Sequence, residues 1–184
     1  MRLEILSLVA LTVGGSMVSA FELPSTYCAR VIPEVINALN MDRIFDHARS
    51  KICEAGCEVT VLDYESKVRE MGIQIIKAES KEMGAPELSE QYIKLLDSIY
   101  KTALEKCEAK ELGKKNICDV EPAQGRQVAQ CVKRNMLGIM FDQPQAFWSI
   151  LTTKCEEQYR FFSNEDLWEI KFPGHMEKFA VEQC

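Results

Sequence analysis

The chain lacks most of what catalytic and nucleic-acid-binding assignments rest on. It has two histidines, His47 and His175, and no Gly-x-Ser-x-Gly, His-Glu-x-x-His or calcium-loop pattern. It has no Cys-x2-Cys pair, and two histidines are too few for the usual zinc ligand sets, so no metal and no cofactor are expected. No basic patch is present. The 22 basic and 28 acidic residues are interspersed and sum to −6, so binding of nucleic acid by phosphate neutralisation is not expected. The acidic balance also argues against adsorption to anionic lipid. Sustained apolar–polar alternation with β-branched enrichment is missing, which disfavours a sheet. Repeats and low-complexity tracts are missing as well. Beyond residue 20 there is no Asn-x-Ser/Thr acceptor for N-glycosylation. No later apolar stretch reaches the roughly 20 residues of a spanning helix, so no membrane insertion is expected.

Cysteine, by contrast, is abundant. There are eight: Cys28, Cys53, Cys57, Cys107, Cys118, Cys131, Cys155 and Cys184. Residues 1–20 read as a cleavable export signal. Arg2 gives the positive start, Leu3 to Val13 an apolar run, and Val18-Ser19-Ala20 the small residues before a cut at Phe21. None of the cysteines lies in that signal, so all eight would reach an oxidising, extracellular compartment as a secreted protein. An even count there predicts a framework of four disulfides with no thiol left as a nucleophile. Residues 21–184 suit one disulfide-rich helical domain. Cys53 and Cys57 fall four apart on one apolar stripe with Met41, Ile44, Phe45, Ala48 and Ile52. Stacked on one helix face, they are better placed to reach two other segments than each other. Bridges of this kind would let the interior be imperfectly filled, even hollow, without unfolding.

Periodicities of three and four run the length of the chain and predict an all-α fold, a compact disulfide-stapled bundle of six or seven helices. Pro33 suits the first position of a helix. The clearest amphipathic face is Tyr92, Leu95, Leu96, Ile99, Ala103, Leu104 and Cys107, opened by Ser89. Val128 to Met140 marks another helix. Asp142-x-Pro144-Gln145 reads as a capping box for a helix bearing Phe147, Trp148, Leu151, Cys155, Tyr159 and Phe162. Aromatic residues concentrate from Phe141 onward, and a tail wrapping a common core explains this more simply than a second lobe.

The spacing of the first six cysteines resembles that of arthropod odorant-binding proteins and the related salivary ligand-binding proteins of blood-feeding insects. Cys28, Cys53, Cys57, Cys107, Cys118 and Cys131 are separated by 24, 3, 49, 10 and 12 residues, with the three-residue gap between second and third cysteine that marks that family. The resemblance covers residues 25–135. It implies bridges Cys28–Cys57, Cys53–Cys118 and Cys107–Cys131, which leaves Cys155 and Cys184 to each other.

Candidate chemistry is sparse. His47 follows Asp46, and a catalytic histidine would need a nucleophile or metal brought to it by the fold. A surface or helix-end role is the simpler reading for it, and an exposed one for His175. Glu54, Glu58, Asp63 and Glu65 form an acidic cluster, for which a solvated face is the default. No catalytic residue is assigned. Apolar faces supply Phe45, Met71, Tyr92, Leu96, Ile99, Met136 and Trp148 as candidate lining of a ligand cavity, the thioethers adapting to an apolar guest. The expected function is non-enzymatic: a secreted carrier or scavenger of a small apolar molecule. The alternative is a secreted effector of venom, salivary or defence type that binds a protein target. A hydrolase ranks third.

Overall fold

The computed structural model describes residues 26–38, 41–64 and 67–184. The export signal read at 1–20 lies outside them. The fold is all-α and carries four disulfides, as expected. Among the described residues the β-type pairing is a single bridge, Thr60 to Asn116. Nine α-helices are present there, joined by short π and 3-10 turns. The excess over six or seven arises where stripes that read as continuous are broken by the backbone.

Helix α1 (Thr26–Ala38) begins earlier than Pro33 suggests and holds that proline in its interior. Pro33 and Ala29, whose carbonyl loses its helical partner, are both exposed, so water can serve the carbonyl. The buried face of α1, Cys28 and Val31, lies against Cys155 and Tyr159 of α8. Helix α2 (Met41–Ala48) runs into a π-helical turn, Arg49–Cys53, and the chain then reverses at Gly56, whose φ of +75° suits glycine. Cys57 therefore leaves the helix that carries Cys53, and the two cysteines diverge.

Helix α3 (Val68–Glu82) is followed by a turn through Gly84 and then by α4 (Ser89–Lys106). Helix α4 packs against α3, α6 and α7. A one-turn helix, α5 (Ala109–Leu112), leads to α6 (Pro122–Asp142). Pro144 opens α7 (Pro144–Thr152) as its first residue, but no side chain caps that helix, so the capping box read at Asp142 does not form. Lys154, at φ +52°, separates α7 from α8 (Cys155–Phe162). A second π-helical turn, Leu167–Lys171, feeds α9 (Phe172–Gln183). Helix α8 returns to α1, and α9 to the turn at 49–53, which is the wrapping tail.

The bridges are Cys28–Cys155, Cys53–Cys118, Cys57–Cys184 and Cys107–Cys131, with no free cysteine. Two of the pairs implied by the resemblance are present and two are exchanged: neither Cys28–Cys57 nor Cys155–Cys184 forms. The reason lies in the packing. Cys28 and Cys155 share one buried cluster with Val31. Cys57 belongs to another, with Ile52, Val59, Met176 and Phe179, and α9 carries Cys184 to it. The segment 53–57 is tied to two separate partners, though not as a pair stacked on one helix face, because the helix ends at Cys53.

Candidate functional site

Buried residues fall into four clusters, and between them lies an apolar cavity of about 260 Å³. One wall is α4, through Tyr92, Leu95, Leu96 and Ile99. Helix α6 adds Met136 and Met140. Helix α3 adds Ile75, Ile76, Glu79 and Ser80, with Met83 just beyond its end. Phe161 and Phe162 of α8, Leu167 and Trp168 of the second π turn, and Phe172 of α9 complete the lining, Val35 reaches in from α1, and the pocket is open to solvent on one side. The lining draws on all four clusters, so the hollow sits where their surfaces fail to meet. Other hollows, about 490 Å³ beside Asp46, Arg49 and Glu54 and about 320 Å³ beside Lys106, Glu108 and Glu111, have mixed polar and apolar linings that include these exposed charged side chains.

Four of the residues proposed from periodicity, Tyr92, Leu96, Ile99 and Met136, line this cavity. Three do not. Phe45 packs its ring onto α6, where a Cβ on Gly125 would stand 2.3 Å from its Cε2. Met71 lies on the other stripe of α3, against the cluster of Ile52, Cys57 and Phe179. Trp148 is 58 % exposed. The inward face of α7 is Ala146 and Ile150, and Trp148, two residues from each, falls on the opposite side. Sequence reasoning passed over Glu79, Met83, Leu167 and Phe172. The spacing of Ile75, Glu79 and Met83, four apart on one face, is the signal that places an acid among apolar residues.

Polar groups at the cavity are few and specific. The Tyr92 hydroxyl donates to Gln158 Oε1 at 2.5 Å, and burial pushes the tyrosine above its ordinary pKa. Trp168 Nε1 donates to the Phe162 carbonyl at 3.0 Å. Glu79 Oε1 lies 2.8 Å from His175 Nε2, so His175 is part-buried and not the exposed residue expected. Lys171 pairs with Glu82 at the margin of the cavity and crosses the Phe161 ring. The Glu82 bond, helped by the Glu79 and Asp166 charges, raises its pKa.

His47 Nε2 stands 3.7 Å from Glu169 Oε2. Each histidine thus has a carboxylate beside it, which orients an imidazole but supplies no nucleophile. Of the acidic cluster, Glu54 and Glu58 are exposed. Asp63 accepts the Thr60 backbone N–H at 2.7 Å, and that bond lowers its pKa. Glu65 lies outside the described residues. Among the described residues no group of three His, Cys, Asp or Glu is arranged to hold a metal ion, and no helix is long and apolar enough to cross a membrane.

Comparison with protein-family models, with curated protein sequences and with solved structures gives no significant match. The functional reading therefore rests on the geometry of the cavity.

Proposed function

We propose that the protein is a secreted, non-enzymatic carrier or scavenger of a small apolar molecule held in the cavity between α3, α4, α6 and α8. The observation that carries this reading is a hollow of about 260 Å³ whose walls are almost wholly aliphatic, thioether and aromatic. A cavity of about 150 Å³ accommodates benzene, so this one has room for roughly ten non-hydrogen atoms. Four disulfides and the export signal read at 1–20 support secretion. Affinity comes from burial, at about 0.8 kcal/mol per methylene, or roughly fourfold in Kd.

Calorimetric titration with normal alcohols from 1-pentanol to 1-dodecanol tests the reading. Kd is expected to fall about fourfold per added methylene and to level off near a chain of roughly ten heavy atoms. Ile99→Phe, which fills the cavity, should weaken binding by about tenfold with the fold intact by circular dichroism. Absence of saturable binding across the series would remove the proposal.

A second reading, an effector that binds a protein target, is favoured by one observation. Leu137 and Phe141 on α6 and Trp148 on α7 expose 56 %, 69 % and 58 % of their surface, a density of bare apolar side chains that marks contact surfaces more often than accident. Capture of a target that is lost in the Phe141→Ser, Trp148→Ser variant, with no alcohol uptake by the parent chain, would shift the assignment to it.

A further inference from the structure

Resting on the carrier reading, we infer that the ligand is a one-ended amphiphile: an apolar body enters the pocket, and a single polar group at one end stays in water at the open side. The walls offer a guest almost no hydrogen-bonding surface. The polar side chains of the lining are Glu79, Ser80, Tyr92 and Trp168. The Tyr92 hydroxyl donates to Gln158 Oε1 at 2.5 Å, and Trp168 Nε1 to the Phe162 carbonyl at 3.0 Å. Glu79 Oε1 is engaged by His175 Nε2 at 2.8 Å, and Oε2 carries too little accessible surface for a guest to touch. Ser80 is buried. The lining residues lie in helices or at their ends, where backbone N–H and C=O groups are spent on the helical ladder. At the ends of α3 and α8, the carbonyls of Glu79, Ser80 and Phe161 accept from the N–H groups of Met83, Ala85 and Asn164.

A hydroxyl carried into such a space loses its water and gains no partner, which is unfavourable. The pocket is open to solvent on one side, so a head at that end keeps its hydration while the body is buried. The same head at the other end of the guest would be carried to the inner wall. A hollow of about 260 Å³ has room for roughly ten non-hydrogen atoms. The two ends of a rod-shaped guest that fills it therefore meet different surroundings. The pocket admits a guest with one polar terminus, or with none, and refuses a guest with two. Selection lies in where polar atoms sit along the guest, and no protein group is needed to recognise a particular head.

The test uses three rigid probes that share one skeleton and one number of heavy atoms: 1,4-diethylbenzene, with no hydroxyl, 4-ethylbenzyl alcohol, with one, and 1,4-benzenedimethanol, with one at each end. Each is titrated calorimetrically into the oxidised protein. The first hydroxyl should change Kd by less than about threefold, because it stays hydrated at the opening. The second should weaken binding by about tenfold to a hundredfold, because it is carried to the inner wall. Any pattern other than a small step followed by a large one overturns the inference and leaves the carrier reading in place. Two small steps mean that both ends reach water or that the wall holds a partner, and a large first step means that no end reaches the opening. Ile99→Phe on α4 and Met136→Phe on α6 fill the pocket from two walls, and each should weaken 4-ethylbenzyl alcohol by about tenfold. Unchanged binding in a folded variant places the guest elsewhere and also overturns the inference. The wild-type series is decisive even if neither variant folds. Absence of saturable binding of both 1,4-diethylbenzene and 4-ethylbenzyl alcohol removes the carrier reading itself.

Discussion

Gln158 is fully buried, yet every polar atom of its side chain is used. Nε2 donates to the carbonyls of Ile150 at 2.7 Å and Thr153 at 2.5 Å, and Oε1 accepts the Tyr92 hydroxyl. One amide thus joins the end of α7, the start of α8 and the cavity wall on α4. Tyr92→Phe keeps the ring and leaves Gln158 Oε1 buried without a donor. It should lower stability by about 1–3 kcal/mol at neutral pH, read from urea denaturation. The same residue sets an alkaline limit. Its folded pKa lies above its unfolded one, so its contribution is full below the ordinary tyrosine value near 10. Above that value the unfolded chain ionises first, and stability falls by about 1.4 kcal/mol per pH unit. Denaturation series from pH 8 to 11 should show this decline in the parent chain and lose it in Tyr92→Phe. A parallel decline in both would assign it to other groups.

At the scale of elements, helix α6 carries two glycines of opposite consequence. Gly125 lets α2 approach so closely that the Phe45 ring occupies the place of a Cβ, 2.3 Å from Cε2, whereas Gly138 has nothing within 4 Å. Gly138→Ala should stabilise by about 0.5–1 kcal/mol, because alanine restricts the unfolded chain and favours the helix. Gly125→Ala should destabilise by about 1–3 kcal/mol. In a Phe45→Ala background it should turn neutral or stabilising, a coupling that a double-mutant cycle in thermal or urea unfolding would register. The contrast marks what the sequence made legible. A stripe of spacing three and four shows that a face is buried, which is why Tyr92, Leu96, Ile99 and Met136 were readable as lining on α4 and α6. It does not say against what, and so Phe45 and Met71 were assigned to the cavity when their stripes face α6 and the cluster beside α9. Trp148 is not legible as an exposed residue because Thr153 and Lys154 carry no residue-type signal for a break between helices: the positive φ falls on a lysine. Leu167 and Phe172 line the cavity from a tail whose return path is set by Cys155 and Cys184, and that path becomes visible only with the pairing.

Across the whole molecule, the hollow and the bridges belong to one energetic argument. The pocket of about 260 Å³ leaves apolar wall without packing partners, which forfeits part of the dispersion attraction those side chains would otherwise gain. Cys28–Cys155 and Cys57–Cys184 each span 127 residues, and restricting the unfolded chain over such a loop contributes about 5 kcal/mol each in the chain-entropy model. Both long bridges fasten elements that line the pocket, α8 to α1 and α9 to the 49–57 segment. Cys107–Cys131 spans 24 residues and contributes about 3.5 kcal/mol by the same reasoning. Two results should follow. Non-reducing peptide mapping should join Cys28 to Cys155 and Cys57 to Cys184, and a Cys28–Cys57 peptide would contradict the architecture. In urea unfolding, the Cys28→Ser, Cys155→Ser chain should lose about 1–2 kcal/mol more than the Cys107→Ser, Cys131→Ser chain. The loss in the first should be partly restored by saturating 1-octanol, because a ligand at about 100 times its Kd adds about 2.7 kcal/mol to a fold that alone can bind it. If the short bridge proved the costlier one to remove, the long staples would not be what keeps the cavity open.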